Sequence, residues 1–128
     1  MWLSQWNARW NAYSLVGGHK RPEETFRECL IREMQEELFH LVKEDFAIPN
    51  EPIIHLEFER WSESAIERTM YKVELFKAEI IDYAFDRILR DPDNRLLQED
   101  EILAHQTFDQ KKVSSTVEFL LRKAGFLR

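Results

Sequence analysis

The sequence predicts an α+β domain, and two observations carry that expectation. Residues 52–61, PIIHLEFERW, and 68–80, RTMYKVELFKAEI, alternate apolar and polar side chains in strand fashion. Residues 23–38 instead repeat their apolar side chains at helical spacing. Strands and helices mix without a regular βαβ alternation, which favours α+β or a mixed sheet between helices. At 128 residues the chain is long enough for one domain, residues 1–128, with a buried core.

In chain order, WLSQW and YSLV read as short extended pieces around the polar turn NARWN. Gly17 and Gly18 then break regularity and open a loop through Pro22. A helix is expected from Glu23 to Leu38, because Pro22 and the acidic pair Glu23–Glu24 suit a helix N-terminus. On that helix Phe26, Leu30, Met34 and Leu38, with Leu41 beyond, form one apolar stripe. The two alternating runs make a β-hairpin joined by SESAIE, with Tyr71, Val73 and Leu75 on one face. DPDN, residues 91–94, is a turn, followed by a short strand RLLQ and an acidic EDE. A closing helix runs from Val113 to Lys123 and stops near Gly125.

Composition narrows the function. The net charge of −6 argues against non-specific nucleic-acid binding, and it repels polyphosphates unless divalent cations intervene. No apolar run approaches the length of about 18 residues that spans a bilayer, so no membrane partner is expected. The first ten residues, MWLSQWNARW, lack the pattern of a signal peptide. Cys29 is the single cysteine, which suits a reducing compartment and a cytoplasmic setting.

The residues that carry chemistry lie between 17 and 38. This stretch holds Glu23, Glu24, Glu28, Glu33, Glu36 and Glu37. Like charges three and four apart on a helix repel, so such a run is either a solvated face or a seat for a cation. Glu33, Glu36 and Glu37 fall at i, i+3 and i+4, on the arc beside the apolar stripe. Arg32 lies four residues from both Glu28 and Glu36, within ion-pair reach of either. Oxygen ligands suit Mg²⁺, Mn²⁺ or Ca²⁺ rather than zinc. The unobstructed backbone at Gly17–Gly18 suits a carbonyl ligand or a close phosphate.

The spacing resembles the Nudix box, G-x5-E-x7-R-E-U-x-E-E-x-G-U, where U is a bulky aliphatic residue. Gly18, Glu24, Arg32, Glu33, Glu36 and Glu37 occupy its glycine and charged positions, and Met34 its first U. Chance gives such a match in roughly one chain in ten thousand, with this chain's own composition as the reference. The preceding YSLVGGH is similar to the strand and double glycine that lead into the box. Two features depart from the pattern. The box's last glycine is Phe39 here and its final aliphatic is His40, so the helix end is expected to differ. Only 16 residues precede Gly17, so an N-terminal strand of the sheet is expected to be missing or swapped in from a second copy; a homodimer would cover the exposed edge.

The resemblance implies a Nudix-like α/β/α sandwich with a mixed sheet. It also implies a Mg²⁺- or Mn²⁺-dependent hydrolase that cleaves the pyrophosphate of a nucleoside diphosphate linked to another moiety, such as a nucleotide sugar. Glu36, Glu37 and the Gly17 carbonyl would then be metal ligands. Glu33 would orient or deprotonate water, or help hold a second metal, and Arg32 would orient the glutamates. Glu24 would be a further ligand or a helper at the edge of the site. A base from outside the box would come from Glu99, Asp100 or Glu101, which equally suit the acidic start of a helix. Trp10, Trp6 or Trp61 could stack on a base or sugar, and His19 could touch phosphate, although a core role and a solvated loop serve these residues equally well. Cys29 reads as a small packing residue. The alternative function is a Nudix fold kept as a nucleotide-binding module with weak catalysis.

Overall fold

The computed structural model describes residues 1–38, 41–62 and 66–127. Strand β1 (Trp2–Asn7) turns back into β2 (Ala12–Leu15), with Ser4 opposite Leu15 and Asn7 opposite Ala12. Asn11 closes the turn at φ 52°, a left-handed conformation that asparagine tolerates. Both elements match the sequence expectation.

Helix α1 (Phe26–Glu37) begins three residues after the expected start. Residues 21–24 form a turn instead, in which Glu24 N–H donates to the Arg21 carbonyl at 3.2 Å. The Glu24 carboxylate folds back to accept Arg21 N–H at 2.9 Å. Thr25 is the N-cap: its hydroxyl accepts Glu28 N–H at 3.1 Å, and the Glu28 carboxylate accepts Thr25 N–H at 2.8 Å. After α1 the chain passes through a 3-10 turn (Lys43–Asp45) into β3 (Phe46–Ala47).

Strands β4 (Ile54–Ser62) and β5 (Glu67–Leu75) form the expected antiparallel hairpin, with Ile54 opposite Leu75 and Ser62 opposite Glu67. The second arm stops at Leu75, short of the predicted Ile80. Residues Glu79–Ile80 form β6 and pair with β3, Phe46 opposite Ile80. Helix α2 (Asp82–Leu89) follows, which the pattern reading does not foresee. Next come β7 (Asn94–Leu97), α3 (Glu99–Ala104) and α4 (Ser115–Lys123). Helix α4 starts two residues late because Val113 is held as extended chain: it bridges Tyr13 in parallel, and its N–H donates to the His105 carbonyl at 2.9 Å. Ser114 then caps the helix, and Gly125 at φ +84° lies just past its end.

The order β2–β1–β7 puts the first strand at the centre of its sheet, paired on both edges. All the named strand pairings are antiparallel, and the Tyr13–Val113 bridge adds a parallel contact. Alternation along β1 separates two cores. Trp2 and Trp6 pack on one side against Tyr13, Leu97, Ile102 of α3, and Val117 and Leu121 of α4. Leu3 packs on the other against Met34, Leu38, Leu41, Ile48, and Ala84 and Ile88 of α2. The result is the α/β/α layering expected of the chain, with α1 and α2 on one face and α3 and α4 on the other. Leu38, Ile88, Leu97 and Ile102 are fully buried, and each such side chain stabilises the fold by about 1.5–3 kcal/mol of transfer free energy. Among the described residues no helix is long and apolar enough to cross a membrane.

The box-end departures at Phe39 and His40, and the hairpin tip at residues 63–65, lie outside the described residues, as does the side chain of Trp61.

Candidate active site

Burial of Met34 and Leu38 fixes the rotation of α1, and that rotation lays its acidic arc along the loop after β2. Arg32 is the hub of the arc. Its Nη2 and Nε grip both oxygens of Glu24 at 2.7 and 3.1 Å. Its Nη1 donates to Glu33 Oε1 at 2.9 Å and to Glu36 Oε2 at 3.3 Å. Nη2 also donates to the His19 carbonyl at 3.2 Å. One guanidinium thus ties three carboxylates of the box to the glycine loop. Glu28, the alternative partner within reach, is occupied by the Thr25 cap and does not pair with Arg32. The fork holds the Glu24 carboxyl down to about 2, with its Arg21 N–H bond as a second cause.

Glu33 is buried against Gly18. A Cβ at residue 18 would overlap its carboxyl group, meeting Cδ at 2.5 Å and Oε2 at 2.9 Å. This close approach is the reason the loop needs glycine there. At Gly17 the same construction meets nothing within 4 Å, so the backbone faces open space.

Glu36 is half in solvent and Glu37 is exposed as a residue. Even so, partial burial of its carboxyl, with Glu33 and then Glu36 nearby, pushes Glu37 up to about 7. The last turn of α1 carries no basic residue to offset these charges or the negative end of the helix dipole. Among the described residues, no three acidic, histidine or cysteine side chains are grouped tightly enough to cage an ion by themselves. The donor set nevertheless fits a hard cation: every side-chain donor is a carboxylate oxygen, Glu37 is short of positive charge, and the Gly17 backbone is open. Mg²⁺ in particular takes only one or two carboxylates and fills its shell with water and substrate phosphate, so a closed cage is not required.

Glu37 and Gly17 share a cleft of about 240 Å³ with Gln5, Trp6, Asn7 and Ser14. Of the tryptophans singled out from the sequence, Trp6 lines this cleft and stands edge-on to Tyr13 at 5.1 Å. Trp10 sits on the β1–β2 turn, half exposed, its N–H donating to Asn7 Oδ1, and is not among the lining residues. His19 is exposed on the loop, and its backbone rather than its ring meets Arg32. Cys29 is buried with Sγ 3.7 Å from the Gly18 carbonyl, and burial raises its thiol pKa. That environment matches a packing role.

The acidic group after β7 begins α3. Both Glu101 oxygens are taken by backbone N–H groups, from Gln98 at 3.1 Å and from Phe108 at 3.0 Å. Asp100 accepts Glu101 N–H at 3.0 Å, and Glu99 is exposed in the first turn of the helix. Capping accounts for Glu101 fully.

Sequence reasoning did not single out Gln5, whose side chain reaches the end of α1. No motif marks it, because the contact exists only once β1 and α1 are packed together.

The family model of the NUDIX domain matches residues 2–124 of the chain. No curated protein and no solved structure gives a match.

Proposed function

The chain belongs to the Nudix family, and from that premise we propose that it is a divalent-metal-dependent pyrophosphohydrolase acting on a nucleoside diphosphate linked to another moiety. The observation that carries this reading is the Arg32 hub, which gathers Glu24, Glu33 and Glu36 beside a glycine loop that leaves no room for a Cβ over Glu33. A merely solvated acidic face has no need of that close approach.

In this reading Glu36, Glu37 and the Gly17 carbonyl hold Mg²⁺ or Mn²⁺. When bound, the ion neutralises pyrophosphate oxygens and makes water more acidic. The protein's own groups do the rest. Arg32 holds one oxygen of Glu33, and the other takes the proton of the water that attacks phosphorus in line with the leaving oxygen. Glu24 fixes Arg32 at the edge of the site. The open backbone at Gly17 would admit the diphosphate, with His19 further along the loop.

The test is a panel of nucleotide sugars, dinucleotides and nucleoside triphosphates incubated with purified protein and Mg²⁺, read by phosphorus NMR. Release of nucleoside monophosphate or of a phosphate-containing fragment, abolished in Glu36→Gln, supports the hydrolase. Thermal stabilisation by members of the panel without turnover identifies a binding module instead.

A further inference from the structure

The helix that carries the acidic residues is tied to the central strand at its C-terminal end. Leu38 caps α1 in extended conformation, φ −95° and ψ 105°. A C-terminal turn leaves its carbonyls without helical partners, and they need donors from elsewhere. Among the described residues, Gln5 donates to the Glu37 carbonyl. Its Nε2 donates to the Glu37 carbonyl at 3.0 Å and to Asn94 Oδ1 at 3.1 Å, so the two amide protons have separate acceptors. Asn94 is buried, and its own Nδ2 donates to the Ile88 carbonyl at 3.0 Å. That bond fixes which way the Asn94 amide points, and hence which way Gln5 must point: a reversed Gln5 would set oxygen against oxygen at both contacts. The backbone of Gln5 is itself held from both sides, opposite Ser14 of β2 and Asn94 of β7. A rigid central strand therefore reaches across through one side chain to the residue that closes the acidic arc.

We propose that Gln5 is a positioning residue for the metal site: the Asn94–Gln5 amide relay fixes the last turn of α1 and thereby aims the carboxylates of Glu36 and Glu37. The inference rests on the metal-binding reading above. Gln5 lines the cleft but in this role holds no ion itself. Its effect passes through the Glu37 backbone, as outer groups tune a metal by holding its ligands.

The test uses Mn²⁺ alone, titrated into the metal-free full chain and followed by the paramagnetic resonance signal of free Mn²⁺, well below the melting transition of each protein. Gln5→Met keeps the length of the side chain and removes both donors. It is expected to weaken Mn²⁺ binding about tenfold. A general loss of fold would lower the number of binding sites but leave the affinity of the folded fraction unchanged. A Gln5→Met protein that binds Mn²⁺ as tightly as the wild type overturns the proposal while leaving the metal site standing. Wild-type protein that binds no Mn²⁺ sinks the metal reading first and this inference with it.

A measurement on the unaltered chain covers the case in which the variant does not fold. Coupling between sites is reciprocal, so metal must also tighten the relay. Addition of Mg²⁺ is expected to shift the Gln5 side-chain amide signals and slow their hydrogen exchange. Signals that stay still while backbone amides of α1 respond contradict the relay.

Discussion

Arg32 and Glu24 form a two-bond fork, Nη2 to Oε1 at 2.7 Å and Nε to Oε2 at 3.1 Å, joining the middle of α1 to the turn that precedes its cap. Only a planar guanidinium can make that contact and still send Nη1 to Glu33 and Glu36. Arg32→Lys keeps the charge but loses the fork. It is expected to reduce kcat about ten- to a hundredfold, the range typical of groups that hold ligands in place, with a smaller change in KM. Steady-state kinetics at saturating Mg²⁺ checks this. Wild-type kcat in the lysine variant would mean that charge alone suffices.

Gly18→Ala separates stability from catalysis. The added Cβ meets the far end of the Glu33 side chain, which can swing away at little cost to the fold. Glu33 then leaves its place beside Arg32, and a misplacement of about 1 Å in a reacting group costs about a hundredfold in rate. Circular dichroism melts are expected to change little while activity falls by that factor.

Thr25→Ala removes the hydroxyl that caps α1. The loss is expected to cost about 1 kcal/mol of stability, measured by urea unfolding. Because α1 carries the acidic arc, the variant is also expected to need more Mg²⁺ for half-maximal activity. An unchanged unfolding midpoint would place the helix start elsewhere.

Asp45 provides the pH test. It is buried, accepts Val42 N–H at 3.0 Å, and receives Tyr83 and Arg87 at 2.8 Å each. The Val42 N–H bond first, then Tyr83 and Arg87, hold its carboxyl below the ordinary range. A depressed folded value means that the contribution is complete above the unfolded carboxylate pKa of about 3.9 and is lost as pH falls below it. Asp45→Asn is therefore expected to melt several degrees lower at pH 7, with the gap closing from about pH 5 downward. A gap that does not narrow at all between pH 5 and pH 3 would point to packing rather than charge.

Much of this architecture is legible in the sequence, and its limits are physical. The box reads directly because its six positions are local to one helix and its leading loop. The β4–β5 hairpin reads directly because its alternation is long and uninterrupted. The start of α1 is misplaced because Glu23 and Glu24 look like the first turn of a helix, whereas Thr25 and Glu28 form the actual capping box. Helix α2 is hidden because it follows strand-like residues without a cap signal: Ile81 caps it through no side-chain bond. Its role appears only in three dimensions, where Ala84 and Ile88 complete the core under α1, and Tyr83 and Arg87 close on Asp45. Gln5 belongs to the same class, since a polar residue in a strand carries no mark of the helix end it will meet.

The most direct measurement is a crystal of the full chain soaked in Mn²⁺, with diffraction recorded at the manganese edge. An anomalous peak among Glu33, Glu36, Glu37 and the Gly17 carbonyl is the predicted result. Those carboxylates turned to bulk water, with no peak between them at saturating Mn²⁺, would contradict a divalent-ion site on α1 and the phosphoanhydride chemistry built upon it.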